Sequence, residues 1–407
     1  MMGEKKGINI KRQPTNSRCW KLPTRLFLLF VSVLFTLVVA EGIARVFDIG
    51  PKQIPMQIGK YQLSTNKGIS YQLVPGSDDG IAGTHNRWGM RSPDISKEKP
   101  EGVYRVAFIG DSITYGAGVG AEDTFANLVT ELFLMEEDLA MRVETMNFGV
   151  VGYSIHDTLA VVEHQLGKFD PDLVVYTYCM NDPQRFSVER EMLLEQLGNR
   201  KSNPVVTLIQ RSRLGILART LTRGTVKTER EDVDYEAIAN RDPQMTNRGW
   251  NENHYFVKLH KDPVAWAEAR QALGAIVDHC REGLPGGDGE PVPLLTLLSP
   301  ILYDITDDGR YALTSVEAHL TSEFADEDLL LFNLRPDFAE IERRHGDVLP
   351  VYWGELRDGL HFSSYGHRAV AAILYQAIAR ESGLSSPSVN PELNKTLEAY
   401  RLGNPAL

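Results

Sequence analysis

The run Val106-Ala-Phe-Ile109, closed by Gly110-Asp111-Ser112, constrains this chain more than any other stretch. Four apolar residues of that bulk suit a strand buried on both faces of a parallel sheet. The glycine and short polar residues that follow suit a turn at its carboxyl end. In open α/β sheets, reacting groups gather just past the carboxyl ends of the strands. Ser112 stands at such a place and is a candidate nucleophile, which requires a base, an orienter for that base and oxyanion donors elsewhere in the chain.

Beyond Tyr104–Ile109 the chain alternates strand and helix patterns. Phe125, Leu128, Val129, Leu132 and Phe133 recur with helical spacing. Arg142–Phe148 reads as a second strand, and Ile155, Leu159, Val162 and Leu166 as the stripe of a helix opened by Ser154 and Asp157 in the manner of a capping box. Leu173–Tyr178 is a third strand. Asp262-Pro263 starts a helix that carries Trp266, Leu273, Ile276, Val277 and Cys280. Leu294–Leu298 and Leu329–Leu334 read as two further buried strands, and Val370, Ile373, Leu374, Ala377 and Ile378 as the last helix. Five strands alternating with helices imply a doubly wound parallel sheet covered on both faces.

Residues 1–25 hold seven basic residues against Glu4 alone, a net of +6, and precede the uncharged run 26–40, LFLLFVSVLFTLVVA. A basic leader before an apolar core marks an N-terminal membrane anchor or a secretory signal. The long leader favours an uncleaved anchor over 26–47, while Val38-Val39-Ala40 leaves cleavage and secretion open. In either case the positive-inside bias exports the body. The rest of the chain then carries −17 of the total −11, which argues against a nucleic-acid surface. Three cysteines, Cys19, Cys179 and Cys280, are too few and too scattered for a disulfide framework or a zinc site.

Residues 48–102 read as a membrane-proximal lead-in of turns and short strands, with Asn86–Arg91 as a turn under an aromatic cover. Residues 103–385 read as the catalytic domain and 386–407 as a C-terminal tail. The stretch 183–262 breaks the alternation. It reads equally as a solvated insertion and as a lid or substrate-contact subdomain beside the third strand's carboxyl end.

Three further segments carry chemistry. Gly152, between the second strand and its helix, lets a backbone N–H approach a bound oxygen closely. Asn181, after the third strand, places a neutral amide donor where an oxyanion develops. In Asp358-Gly-Leu-His361, read as a tight turn, a carboxylate three residues before an imidazole can accept from its ring N–H and fix the tautomer that takes a serine proton. His367 and the remaining eight of the ten histidines read as packing or surface residues. No Gly-x-Ser-x-Gly elbow and no His-Glu-x-x-His is present, and the glycines of 116–121 begin too far past their strand for a dinucleotide fingerprint.

Gly110-Asp111-Ser112, Gly152, Asn181-Asp182 and Asp358-x-x-His361, in this order along an alternating α/β chain, resemble the four blocks of the SGNH (GDSL-type) hydrolases over about residues 103–385. The lead-in resembles that of bacterial membrane-anchored members. The resemblance implies a flavodoxin-like sheet with Ser112 as nucleophile, His361 as base and Asp358 as its orienter. It also implies an oxyanion hole made of the Ser112 and Gly152 backbone N–H groups and the Asn181 side chain. Asp111 and Asp182 then brace loops, and no metal or cofactor is needed. The third block departs from the family's usual Gly-x-Asn-Asp by placing Cys179 at the glycine. The expected activity is that of an exported esterase acting on an O-acyl group of a carbohydrate, lipid or small ester. A cell-envelope acyltransferase with the same triad and a non-catalytic carbohydrate-binding protein are the alternatives.

Overall fold

A computed structural model describes residues 21–46, 60–66, 68–77, 83–136, 139–184, 190, 193–194, 197–198, 255–326, 329–353, 356–384 and 390–402. It divides into two units, one holding the N-terminal helix and the other everything from Pro55 except 201–231. Trp250, His254, Cys19 and the arginines of 211–223 lie outside the described residues.

Helix α1 spans Lys21–Val46. Its segment Thr24–Ile43 is long and apolar enough to cross a membrane, as a membrane anchor or as a signal sequence, and Leu26–Phe30 are all exposed.

The second unit opens with a hairpin of β1 (Tyr61–Leu63) and β2 (Tyr71–Leu73) and continues to β3 (Val103–Ile109). There follow α2 (Ser112–Tyr115), α3 (Phe125–Leu134), β4 (Arg142–Asn147), α4 (Ile155–His164) and β5 (Leu173–Tyr178). From residue 255 the described chain continues with α5 (Tyr255–Lys261), α6 (Pro263–Glu282), β6 (Leu294–Leu298), α7 (Thr314–Asp326), β7 (Leu330–Asn333) and α8 (Arg335–His345). The chain closes with β8 (Pro350–Trp353), β9 (Leu356–Phe362), α9 (Ser364–Ser382) and α10 (Pro391–Arg401).

Five strands form one parallel sheet in the order β4-β3-β5-β6-β7, the flavodoxin-like doubly wound arrangement with its switch point between β3 and β5. Val106 pairs with Thr145 on one side and Leu173 on the other, and Tyr176 pairs with Thr296. β3, β5 and β6 are buried at every residue, which is why they read as continuous apolar runs. β7 departs from the expected buried strand. It closes the sheet edge, Leu330 is exposed, and the other three residues are only half-buried.

Asp358 and His361 sit not in a free turn, as expected, but within β9, which pairs antiparallel with β8 in a separate two-stranded ribbon. Residues 391–401 of the expected tail are helical, capped by Asn390, whose Nδ2 donates to the Met135 carbonyl at 2.7 Å.

The lead-in packs into the same core. The Asn86 side chain accepts from the backbone N–H groups of Trp88 and Met90, both at 2.9 Å, forming the expected turn, and Trp88 covers Phe169 edge-on. Arg91 at its end is fully buried, a finding that a surface turn does not foretell.

Candidate active site

β3 ends at Gly110, whose φ is +145°. A Cβ there would lie 2.5 Å from Thr114 Oγ1 and 3.0 Å from the Thr177 carbonyl oxygen, so only glycine lets the chain turn this tightly against β5. The Asp111 carboxylate then accepts from the Ile113 N–H at 2.9 Å and caps α2, which begins with Ser112. The turn is closed by Gly116 in the left-handed conformation, its N–H bonding back to the Ser112 and Ile113 carbonyls.

Arg91 holds the far side of this turn. Its guanidinium donates to the carbonyls of Tyr115 at 2.7 Å, Gly116 at 2.5 Å and Val119 at 2.5 Å, and stacks over the Tyr115 ring at 4.6 Å. His85 bonds the Tyr115 hydroxyl from the same lead-in at 3.1 Å.

Ser112 and His361 are each 8% exposed. His361 Nε2 lies 2.8 Å from Ser112 Oγ, and its Nδ1 lies 2.7 Å from Asp358 Oδ2. The other Asp358 oxygen accepts the N–H groups of Leu360 at 2.8 Å and His361 at 3.0 Å, which locks the carboxylate beneath the ring. A carboxylate only accepts, so Nδ1 carries the proton and Nε2 is left to accept from the serine hydroxyl.

The second expected oxyanion segment lies against this turn. Val150 N–H donates to the Gly110 carbonyl at 3.3 Å, and Asn147 Nδ2 donates to the Thr114 carbonyl at 2.8 Å. Gly149 packs so closely that a Cβ would fall 2.3 Å from the Tyr115 nitrogen. Gly152 follows with φ +81°, its Cα facing the Tyr71 hydroxyl, which itself donates to the Val151 carbonyl at 2.7 Å. Gly152 is thus tied to the Ser112 turn through its loop, and the lead-in hairpin backs that loop.

Past β5, the Asp182 carboxylate accepts from the Cys179 N–H at 2.7 Å and the Tyr176 hydroxyl at 3.0 Å. The side chains of Asn181 and Cys179 lie beside Asp111 and oppose the rise of its carboxyl, which brings the third segment to the first. Asn181 Oδ1 is buried with no partner among the described residues. Burial pushes both carboxyls up from the usual range. For Asp111 the Ile113 N–H bond opposes the rise, and for Asp182 the neighbouring Asp111 adds to it. Burial also pushes the Cys179 thiol up. Cys179 and Cys280 are both free and buried.

The structure therefore brings Ser112, His361 and Asp358 into one hydrogen-bonded row, with Asp111, Asn181 and Asp182 braced beside it. His367, expected to be structural, is fully buried and accepts the Phe125 N–H on Nδ1 at 3.3 Å. Among the described residues, no group of three or more His, Cys, Asp or Glu side chains is placed to hold a metal ion. The sequence reading missed Arg91. Its signal was the Asn86-x-x-Gly89-x-Arg91 pattern itself, whose turn reading left the arginine without a task.

Among solved structures the chain is similar to the lipase/acylhydrolase from Enterococcus faecalis, at 16% identity over 70% of this chain and 100% of that one, with a TM-score of 0.38. It is similar also to Axe2, an acetylxylan esterase from Geobacillus stearothermophilus, at 16% identity over 69% and 95% of the two chains and a TM-score of 0.38. A member of the lipolytic protein G-D-S-L family from Veillonella parvula DSM 2008 is 11% identical over 68% and 99%, with a TM-score of 0.34. No curated protein matches. A family model described as the GDSL-like lipase/acylhydrolase family matches residues 108–369, running from the end of β3 into α9. Because that match takes in most of the chain, the protein belongs to the GDSL-like lipase/acylhydrolase family and is an ester-bond hydrolase.

Proposed function

We propose that Ser112 is the nucleophile of a serine esterase that removes an ester-linked acyl group, an O-acetyl group above all, from a carbohydrate, lipid or small ester. The observation that carries this reading is the row Asp358–His361–Ser112, with links of 2.7 Å and 2.8 Å and the ring tautomer already set. His361 Nε2 takes the hydroxyl proton as Oγ bonds to the ester carbonyl carbon. Asp358 supports the imidazolium so formed. The negative oxygen is held by the backbone N–H groups of Ser112 and Gly152 and by the Asn181 amide. Collapse breaks the bond to the alcohol, which leaves with the proton from His361. Water, deprotonated by the same nitrogen, then releases the acid and restores Ser112. Asp111 and Asp182 act as braces in this scheme, because their carboxylates are occupied by turn N–H groups.

The body is assigned to the exported side of a membrane, tethered by the helix over Thr24–Ile43 or released if that segment is cleaved. The burial of Ser112 and His361 favours a second reading, because a sheltered acyl-serine persists long enough to meet a sugar hydroxyl instead of water. Incubating the full-length protein in detergent with acetylated saccharides, with and without an acceptor saccharide, separates the two. Free acetate released at a rate no acceptor changes supports hydrolysis, and acetylated acceptor supports transfer. Acetate release by a Ser112→Ala protein at the parent rate contradicts both.

A further inference from the structure

A cavity of about 260 Å³ lies between the lead-in and the C-terminal end of α4 with the segment that follows it, and neither Ser112, His361 nor Asp358 lines it. Its walls are mixed. Trp88, 39% exposed, stands with Phe169 on one side, and the amides of Gln72 and Gln165 line it together with Lys97 and Lys168. Both lysines are exposed, and neither ammonium has a carboxylate partner among the described residues. Of the acids close by in sequence, Asp170 and Asp172 pair Lys99 at 3.0 Å and 2.8 Å. Two lysines without a carboxylate partner among the described residues line one cavity in so acidic a body, which calls for an anionic occupant.

We infer that this cleft binds a carboxylated sugar ring, a uronic acid unit of a saccharide. An aromatic wall suits the apolar face of a sugar, side-chain amides suit its hydroxyls, and lysine ammoniums suit a carboxylate. The volume falls below the about 300–1,000 Å³ of sites that enclose drug-sized ligands, which fits one ring with its neighbours extending into solvent. No arginine is among the described residues that line the cavity, so it offers no guanidinium fork to a phosphate. Val150 and Tyr153 form another part of the wall, so the occupant also rests on the loop that carries Gly152. The inference concerns binding alone, and it stands whether or not Ser112 acts on an ester of that saccharide.

Calorimetric titration of the full-length Ser112→Ala protein in detergent tests it, with a short oligo-uronate and a neutral oligo-hexose of equal length as probes. The expected result is binding of the oligo-uronate at least tenfold tighter than the neutral chain. That affinity falls with added salt and drops at least tenfold when Lys97→Ala and Lys168→Ala are combined. Trp88→Ala weakens both probes. Equal binding of the two probes, no binding of either, or an affinity indifferent to the lysine substitutions overturns the inference. So does a lysine double variant with Ser112 intact that loses hydrolysis of a small acetyl ester, since the lysines would then serve the reaction loop instead.

Discussion

His361 Nε2 and Ser112 Oγ lie 2.8 Å apart although 249 residues separate them in the chain. The contact depends on Asp358, whose oxygens hold both the ring Nδ1 and the backbone of the same strand. Asp358→Asn keeps the shape but presents an amide that favours the wrong ring tautomer. It is expected to lower kcat on an acetyl ester by about 10³–10⁴ with little change in KM. Steady-state kinetics with folding checked by circular dichroism measures this, and a loss below tenfold argues against the role.

Asn181 tests the oxyanion donors. Its side chain is held beside Asp111, so removing it leaves the row of Ser112, His361 and Asp358 in place. Asn181→Ala is expected to reduce kcat by about 10²–10³ while KM stays nearly constant. A rise in KM at unchanged kcat would instead make Asn181 a substrate-binding residue.

Arg91 couples the lead-in to the serine turn. A lysine cannot reach three carbonyls with one fork, and buried carbonyls left unpaired cost about 1–3 kcal/mol each. Arg91→Lys is therefore expected to lower stability by about 2–4 kcal/mol and to slow ester hydrolysis through the displaced α2 turn. Chemical denaturation followed alongside activity measures both effects.

Acid should destabilise the fold through its buried histidines. Burial lowers His260 to about 4 and His367 to about 3, so both stay neutral in the folded chain while the unfolded chain takes up protons below about pH 6.5. Their contribution is intact above that pH and is lost progressively as pH falls towards 4 and 3. His260 alone accounts for about 3 kcal/mol. The buried Asp111 and Asp182, raised by the same desolvation, act with the opposite sign. The isolating comparison is therefore His260→Gln, which can keep the bonds to Tyr178 and Phe256 without titrating. Its thermal midpoint should fall less between pH 6.5 and 4 than that of the parent.

The parallel sheet was legible because β3, β5 and β6 are buried on both faces and show it as unbroken apolar runs. α7 and α8 were not, because so few of their residues face the core. In α8 only Phe338, Ala339 and Ile341 are buried. The ribbon of β8 and β9 escaped for another reason: a seven-residue strand that holds Arg357, Asp358 and His361 has no clean alternation to read. Residues at strand ends could be named from position and spacing alone, and the structure brings Ser112, Asp358 and His361 together. Arg91 stood in a distinctive pattern, but its task could not be read, because a guanidinium serving carbonyls 24 to 28 residues downstream leaves no periodic trace.

The central claim is that Ser112 forms the acyl-enzyme. Treating the full-length protein with a fluorophosphonate probe and mapping the adduct by mass spectrometry tests it most directly. The expected outcome is a single modified residue, Ser112, with acetyl-ester hydrolysis lost in proportion to labelling and no labelling of His361→Ala. An unlabelled Ser112 in a protein that still hydrolyses the ester, or full activity after Ser112 is labelled, would contradict it.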